Sequence, residues 1–386
     1  MGYQAVKIFP RRHSNLDDFI KSADIKSNVS IKGVLLHCPI VVVIFKDHNE
    51  IHWPSTLFLL EHALQSASNE GDTVRTYGEC LVDWLMYLDS TKTSLETATE
   101  INIQAYRNKL YSPSRKEDRR YSAKTVNLRV GTAIRFHEWA QKNNCLSSPL
   151  GLNLVQGTLS TKSIYAGRSW VQRVLPKPTE RIPRVLTRDE IAAVIFRAYK
   201  PYSLMFRWAV ITGMRRSELC RLQISDLPKL NGLSVANQHI LEMSIRRKGG
   251  REVNVYVPIA LVEDTHWYIR TDRPKPESGH EQYLFLSLNG KQVDKGILTK
   301  RFRDVADDIG SDATLHHLRH TFAVNTLQIL QRRNEAGDNI NPLKTLQVLM
   351  GHRSIESTEI YLTALDIQSD AVEEALAFLY GASLEQ

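Results

Sequence analysis

Apolar residues recur at three- and four-residue steps through TVRTYGECLVDWLMYLD, where Val74, Tyr77, Leu81, Trp84, Leu85 and Leu88 share one face of a predicted helix. A second helix is predicted through EINIQAYRNKLYS. A third, through SAKTVNLRVGTAIRFHEWAQKN, puts Val126, Val130, Ile134 and His137 on one face. The run VLLHCPIVVVIF, from Val34 to Phe45, is too short to span a bilayer and contains Pro39, so it reads as one or two buried strands. The stretch STLFLLEHALQSA after it reads as a helix. Period-two alternation appears twice, in HILEMSI and VNVYVP. These flank RRKGGRE and predict a β-hairpin turning at Gly249-Gly250.

The pattern divides the chain into segments. Residues 1–68 form an N-terminal segment of unassigned role, and residues 69–158 form a helical block. Residues 159–185 are read as an interdomain linker, because Pro176, Pro178 and Pro183 remove backbone donors and restrict the residues before them. Residues 186–386 open with a capping box, Thr187 with Glu190 in LTRDEI, and continue through an apolar helix, SLMFRWAVIT, that stops at Gly213. The fold class expected is mainly α with a small antiparallel β-sheet in the C-terminal domain. No internal repeat is present.

Composition narrows the class. With 42% hydrophobic and 24% charged residues the chain reads as soluble and globular. Its net charge of +8 suits a phosphate-bearing partner, since Lys and Arg gain affinity by releasing counterions from nucleic acid. Cys38, Cys80, Cys145 and Cys220 lie far apart without zinc spacing, so reduced thiols are expected. The first residues lack the apolar core of a signal peptide, and no membrane segment is expected. In SPSRKEDRRYSAK, the residues Arg115, Lys116, Arg119, Arg120 and Lys124 form either a solvated loop or a phosphate-contacting edge.

Five short segments in the C-terminal domain carry chemistry. In TGMRRSELCRL, Arg215 sits where one helix ends and the next begins, and Glu218 can brace it by a charge-assisted bond. Lys248 lies near the hairpin tip. In LHHLRHTF, His316, Arg319 and His320 fall on one helical face. A zinc pair at i and i+4 is the rival reading, but Arg319 between the two histidines repels a dication and no carboxylate stands near as a third ligand. His352 follows Gly351 in MGHRS, and Tyr361 comes nine residues later in STEIYLT. Each segment alone reads more simply as surface or core.

In this order and spacing the segments resemble the tyrosine recombinase (phage integrase) family. That family has an Arg in TGxRxSE, a Lys on a β-hairpin, an HxLRH helix, a Gly-His turn and a Tyr nine residues on. The matching positions are Arg215, Lys248, His316 with Arg319, His352 and Tyr361, with Glu218 and His320 in support. The motifs cover about residues 186–365, and the block 69–158 resembles the family's helical core-binding domain. The chain departs from the pattern in a longer stretch, QRRNEAGDNINP, in Met350 before the Gly-His pair, and in a long proline-marked region from His266 to Glu281.

The resemblance implies two domains that clamp DNA, and a site-specific recombinase that cuts and rejoins strands through a 3′-phosphotyrosyl link at Tyr361. Arg215 and Arg319 would clamp the phosphate, His352 would add a donor, His316 would act as general base and Lys248 as general acid. It implies no metal and no cofactor. Its partners would be double-stranded DNA and three further copies of the chain, with room for accessory DNA-bending or directionality proteins. The expected location is the cytoplasm, on the nucleoid, with integration or excision of a mobile element as the use. The alternatives are a type IB topoisomerase-like relaxing enzyme and an inert DNA-binding regulator on the same fold.

Overall fold

The apolar run near the N-terminus becomes strand β2 (Ile40–Phe45), with four consecutive buried residues. It pairs antiparallel with β1 (Tyr3–Ile8), from Tyr3 opposite Phe45 to Ile8 opposite Ile40. The computed structural model describes residues 2–8, 39–65, 71–111, 121–157, 170–177, 182–230, 239–246, 252–352 and 354–367. They fall into two units, Met1–Glu180 and Arg181–Gln386, each with its own core.

In the first unit β2 is followed by helices α1 (Trp53–Leu64), α2 (Asp72–Ser90), α3 (Glu100–Tyr111), α4 (Ala123–Lys142), α5 (Pro149–Val155) and α6 (Trp170–Val174). The face read from the sequence on α2 is the buried one, with Val74, Leu81, Trp84, Leu85 and Leu88 inside and Tyr77 half-buried. On α4, Val126, Val130, Ile134 and His137 are likewise buried. Val41, Val43, Phe58 and Leu59 belong to the same cluster, so the strands and α1 share one core with the helices that follow.

His137 is the polar member of that core. Trp84 Nε1 can only donate, so its 3.2 Å contact makes His137 Nε2 the acceptor. The ring proton therefore sits on Nδ1 and is donated to Ser148 Oγ, 3.0 Å away. Ser148 Oγ in turn accepts from Gly151 N at 3.0 Å and caps α5. Burial pulls the His137 pKa from 6.5 to about 3. The folded state thus refuses a proton that the unfolded chain takes up below pH 6.5. This contribution to stability is whole above pH 6.5 and is lost as pH falls from there towards 3. The slope is about 1.4 kcal/mol per pH unit at most. Urea titrations at pH 7, 5.5 and 4.5 should show a loss of stability on that scale, and His137→Phe, although weaker at pH 7, should show a shallower decline.

The second unit contains α7 (Arg188–Arg197), α8 (Tyr202–Thr212), α9 (Arg216–Leu219), β3 (Ile240–Arg246), β4 (Glu252–Pro258), α10 (Ile259–Thr271), α11 (Lys295–Asp308), α12 (Leu315–Glu335), α13 (Pro342–Met350) and α14 (Glu356–Ile367). The capping box at Thr187 and Glu190 forms as read. The hairpin pairs from Ile240 opposite Pro258 to Arg246 opposite Glu252. The architecture is thus mainly helical, with β3–β4 in this unit and a second small sheet, β1–β2, in the first. Among the described residues no helix is long and apolar enough to cross a membrane.

Two sequence departures find a physical place. The longer stretch after Leu330 extends α12 to Glu335, and Asn341 then caps α13 by accepting from Lys344 N at 3.0 Å. The proline-marked region is tied down by Arg273. Its guanidinium donates to the carbonyls of Glu281, Tyr283 and Leu284 at 2.9, 2.8 and 3.2 Å.

Candidate active site

Helix α8 ends at Gly213 with φ +63°, a left-handed turn that suits glycine. A Cβ there would lie 2.4 Å from Phe322 Cδ1, so the turn also sits against α12. Two residues on, Arg215 caps α9. Glu218, itself buried, accepts from the Arg215 backbone N at 2.9 Å and from its Nη1 at 3.0 Å. The carboxylate therefore holds both the turn and the guanidinium direction.

Arg319 is nearly fully buried, at 3% exposure. It donates through Nη1 to the Gly213 carbonyl, and through Nη2 to the Met350 carbonyl at 3.1 Å and to His352 Nε2 at 2.9 Å. One forked side chain thus joins the end of α8 to the end of α13. Gly351, at φ +57°, turns the chain so that His352 faces α12. Because Arg319 only donates, His352 Nε2 must accept. Its proton sits on Nδ1 and goes to Thr358 Oγ1, 2.9 Å away on α14. The backbone N of His352 also donates to Gln347 O at 3.0 Å.

Tyr361 lies on α14 with its ring buried against Ala323, Leu346 and Met350. The ring stacks on His352, with centroids 6.4 Å apart and planes 14° apart. Its hydroxyl lies 3.2 Å from His320 Nδ1. Burial raises the Tyr361 pKa above 10, while Arg319 and Arg215 oppose that rise. A cavity of about 470 Å³ opens beside these groups, lined by Arg215, Arg216, Thr299, His316 and Arg319. Five residues from segments far apart in sequence, Arg215, His316, Arg319, His352 and Tyr361, are therefore gathered around α12.

Residues 184–367 match the phage integrase family. These residues form a phage integrase family domain. The tyrosine recombinase XerD of Chlamydia pneumoniae is 29% identical over 201 residues, 48% of this chain and 59% of that one. The tyrosine recombinase XerD of Halalkalibacterium halodurans is 25% identical over 301 residues, 75% of this chain and 86% of that one. In fold, the chain is similar to the XerH site-specific recombinase, crystallised after cleavage on a palindromic difH substrate. The TM-score is 0.58 at 18% identity, covering 92% of this chain and 90% of that one. In sequence the chain is thus similar to tyrosine recombinases of the Xer type, and in fold to a site-specific recombinase of that type.

The histidines of α12 in this integrase-family domain divide by position. His316 is on the cavity side and meets His320 edge-on, with centroids 4.4 Å apart. Loss of solvent and the charge of Arg319 hold His316 below the usual imidazole pKa. Burial, with help from His316, His317 and Arg319, brings His320 down to about 4. Both imidazoles are neutral at physiological pH. The contact of His320 with Tyr361 was not legible in the sequence, nor was the role of Thr358 as the partner of His352. The i, i+3, i+4 face was visible, but not which of its members α14 would meet.

Lys248 lies in the 247–251 connection, outside the described residues. Strand β4 does reach this part of the domain. Glu252, Asn254 and Tyr256 of β4 line a second cavity, of about 450 Å³, together with Lys344, Gln347 and His352. Arg115, Lys116, Arg119 and Arg120 also lie outside the described residues, and Lys124 is exposed in the first turn of α4. Among the described residues no group of three or more His, Cys, Asp or Glu is placed to hold a metal ion.

Proposed function

We propose that this chain cuts and rejoins double-stranded DNA at specific sites through a covalent 3′-phosphotyrosyl intermediate at Tyr361. The observation that carries this reading is the Arg215–Arg319–His352 grouping beside Tyr361, which puts fixed positive charge and forked donors next to a phenol. Attack on a phosphodiester builds negative charge on the nonbridging oxygens of a five-coordinate phosphorus. Preorganised guanidinium donors in a partly enclosed site stabilise that charge without reorganising. The same charges oppose the burial that keeps the tyrosine protonated. Its proton passes to an imidazole of α12, and Lys248 protonates the departing 5′-oxygen. The phosphotyrosyl bond retains the energy of the phosphodiester. A 5′-hydroxyl from a second duplex can therefore reverse the step without ATP.

Strand exchange needs two duplexes, so the working assembly in this reading is four copies of the chain on paired sites. Lys124 and the basic residues before it supply phosphate contacts, and the use is integration or excision of a mobile segment. The test is a supercoiled plasmid with two copies of the duplex site that the full chain selects from a random pool. Deletion or inversion products are expected with and without EDTA, and none with Tyr361→Phe. Relaxation without recombination would point to a topoisomerase instead, and loss of activity in EDTA would contradict the mechanism.

A further inference from the structure

An attacking tyrosine must lose its proton to an acceptor already in contact with its oxygen, and the resemblance to the recombinase family gives that part to His316. The contacts on α12 point elsewhere. His320 Nδ1 lies 3.2 Å from the Tyr361 hydroxyl, within reach of a direct transfer. His316 lines the cavity with Arg215 and Arg319, and its ring packs edge-on against His320. We infer that His320 takes the proton from Tyr361 during strand cleavage and returns it during rejoining, while His316 faces the phosphate. This inference rests on Tyr361 being the nucleophile.

The step balances. The phenol O–H bond breaks and its proton goes to His320 Nδ1. The phenol oxygen bonds to phosphorus, the P–O5′ bond breaks, and the 5′-oxygen takes a proton from a second group. In the reverse step the 5′-hydroxyl attacks, and imidazolium His320 protonates the leaving phenolate. The surroundings suit an acceptor. Burial first, and then His316, His317 and Arg319 on the same helix, keep His320 neutral and able to accept. Facing it from α14 is Tyr361, whose ring also stacks with His352. A phosphate entering beside Arg215 and Arg319 would offset their charge and raise the basicity of His320 at the moment it is needed.

The test uses the full chain, with rates of SDS-stable adduct formation on a nicked duplex carrying the selected site, measured from pH 5 to 9. An asparagine at position 320 can still hold the tyrosine hydroxyl but cannot take its proton. His320→Asn should bind DNA and melt like the wild type. It should form adduct about 10²–10⁴-fold more slowly and lose the acidic limb of the pH–rate profile. Added imidazole should restore part of the rate to His320→Ala. His316→Asn should be slowed yet keep the acidic limb. The inference is overturned if His320→Asn cleaves within about threefold of the wild type, or if the limb disappears in His316→Asn and persists in His320→Asn. Failure of the wild type itself to form adduct would overturn Tyr361 as nucleophile, a separate and visible outcome.

Discussion

Tyr361→Phe is expected to abolish covalent attachment to DNA while leaving fold and DNA affinity in place. The side chain does two separable things. Its ring fills a small cluster with Ala323, Leu346 and Met350, and phenylalanine keeps that packing. Its hydroxyl contacts His320, at a net value of about 0.5–1.5 kcal/mol for such a bond. The melting temperature should therefore move by less than about 5 °C. The DNA dissociation constant should stay within about threefold, because the groups facing phosphate are untouched. The rate should fall by at least about 10⁴-fold, since phenylalanine has no oxygen with which to attack the phosphorus. Gel shift, thermal melting and adduct formation on one preparation separate these effects. An adduct persisting at a tenth of the wild-type rate would assign the nucleophile elsewhere.

Arg319→Ala should be damaging in a different way, losing stability and activity together. The guanidinium serves the Gly213 carbonyl, the Met350 carbonyl and His352 Nε2 from a nearly fully buried position. Alanine leaves those acceptors without this donor, and each buried unsatisfied group costs about 1–3 kcal/mol. The penalties are not additive, and a total of about 3–5 kcal/mol matches the breaking of a buried charged network. Arg319→Lys discriminates between charge and geometry. A single ammonium restores the positive charge but cannot span the ends of α8 and α13 in a planar fork. It should recover part of the stability and remain about 10²–10³-fold slow in adduct formation. Urea titration beside single-turnover cleavage measures both. Near-wild-type cleavage by the lysine variant would mean that charge alone suffices.

Much of this was legible in the sequence because it rests on local periodicity. The buried face of α2, the capping box at Thr187 and the hairpin strands all follow from spacing that one segment carries by itself. Strand β1 was not legible. Tyr3–Ile8 has one fully buried residue and no clean alternation, and it becomes a strand by pairing with β2, more than 30 residues away. The site divides along the same line. The order of Arg215, Arg319, His352 and Tyr361 could be read along the chain. The approach of α14 to α12, which brings Tyr361 to His320 and Thr358 to His352, is a tertiary event with no local signature. His137 shows a similar gap. Its place on an apolar face was visible, but its tautomer is set by Trp84 on α2 and Ser148 at the cap of α5, and its low pKa comes from burial.

The most direct test of Tyr361 as covalent nucleophile is the location of the bond. The full chain is trapped on a nicked duplex bearing its selected site, the DNA and protein are digested, and the adducted peptide is sequenced by mass spectrometry. A nucleotide 3′-phosphate on the tyrosine of the peptide STEIYLT is the predicted result, absent from the Tyr361→Phe protein. Attachment at another side chain, or through a 5′-phosphate, would contradict it.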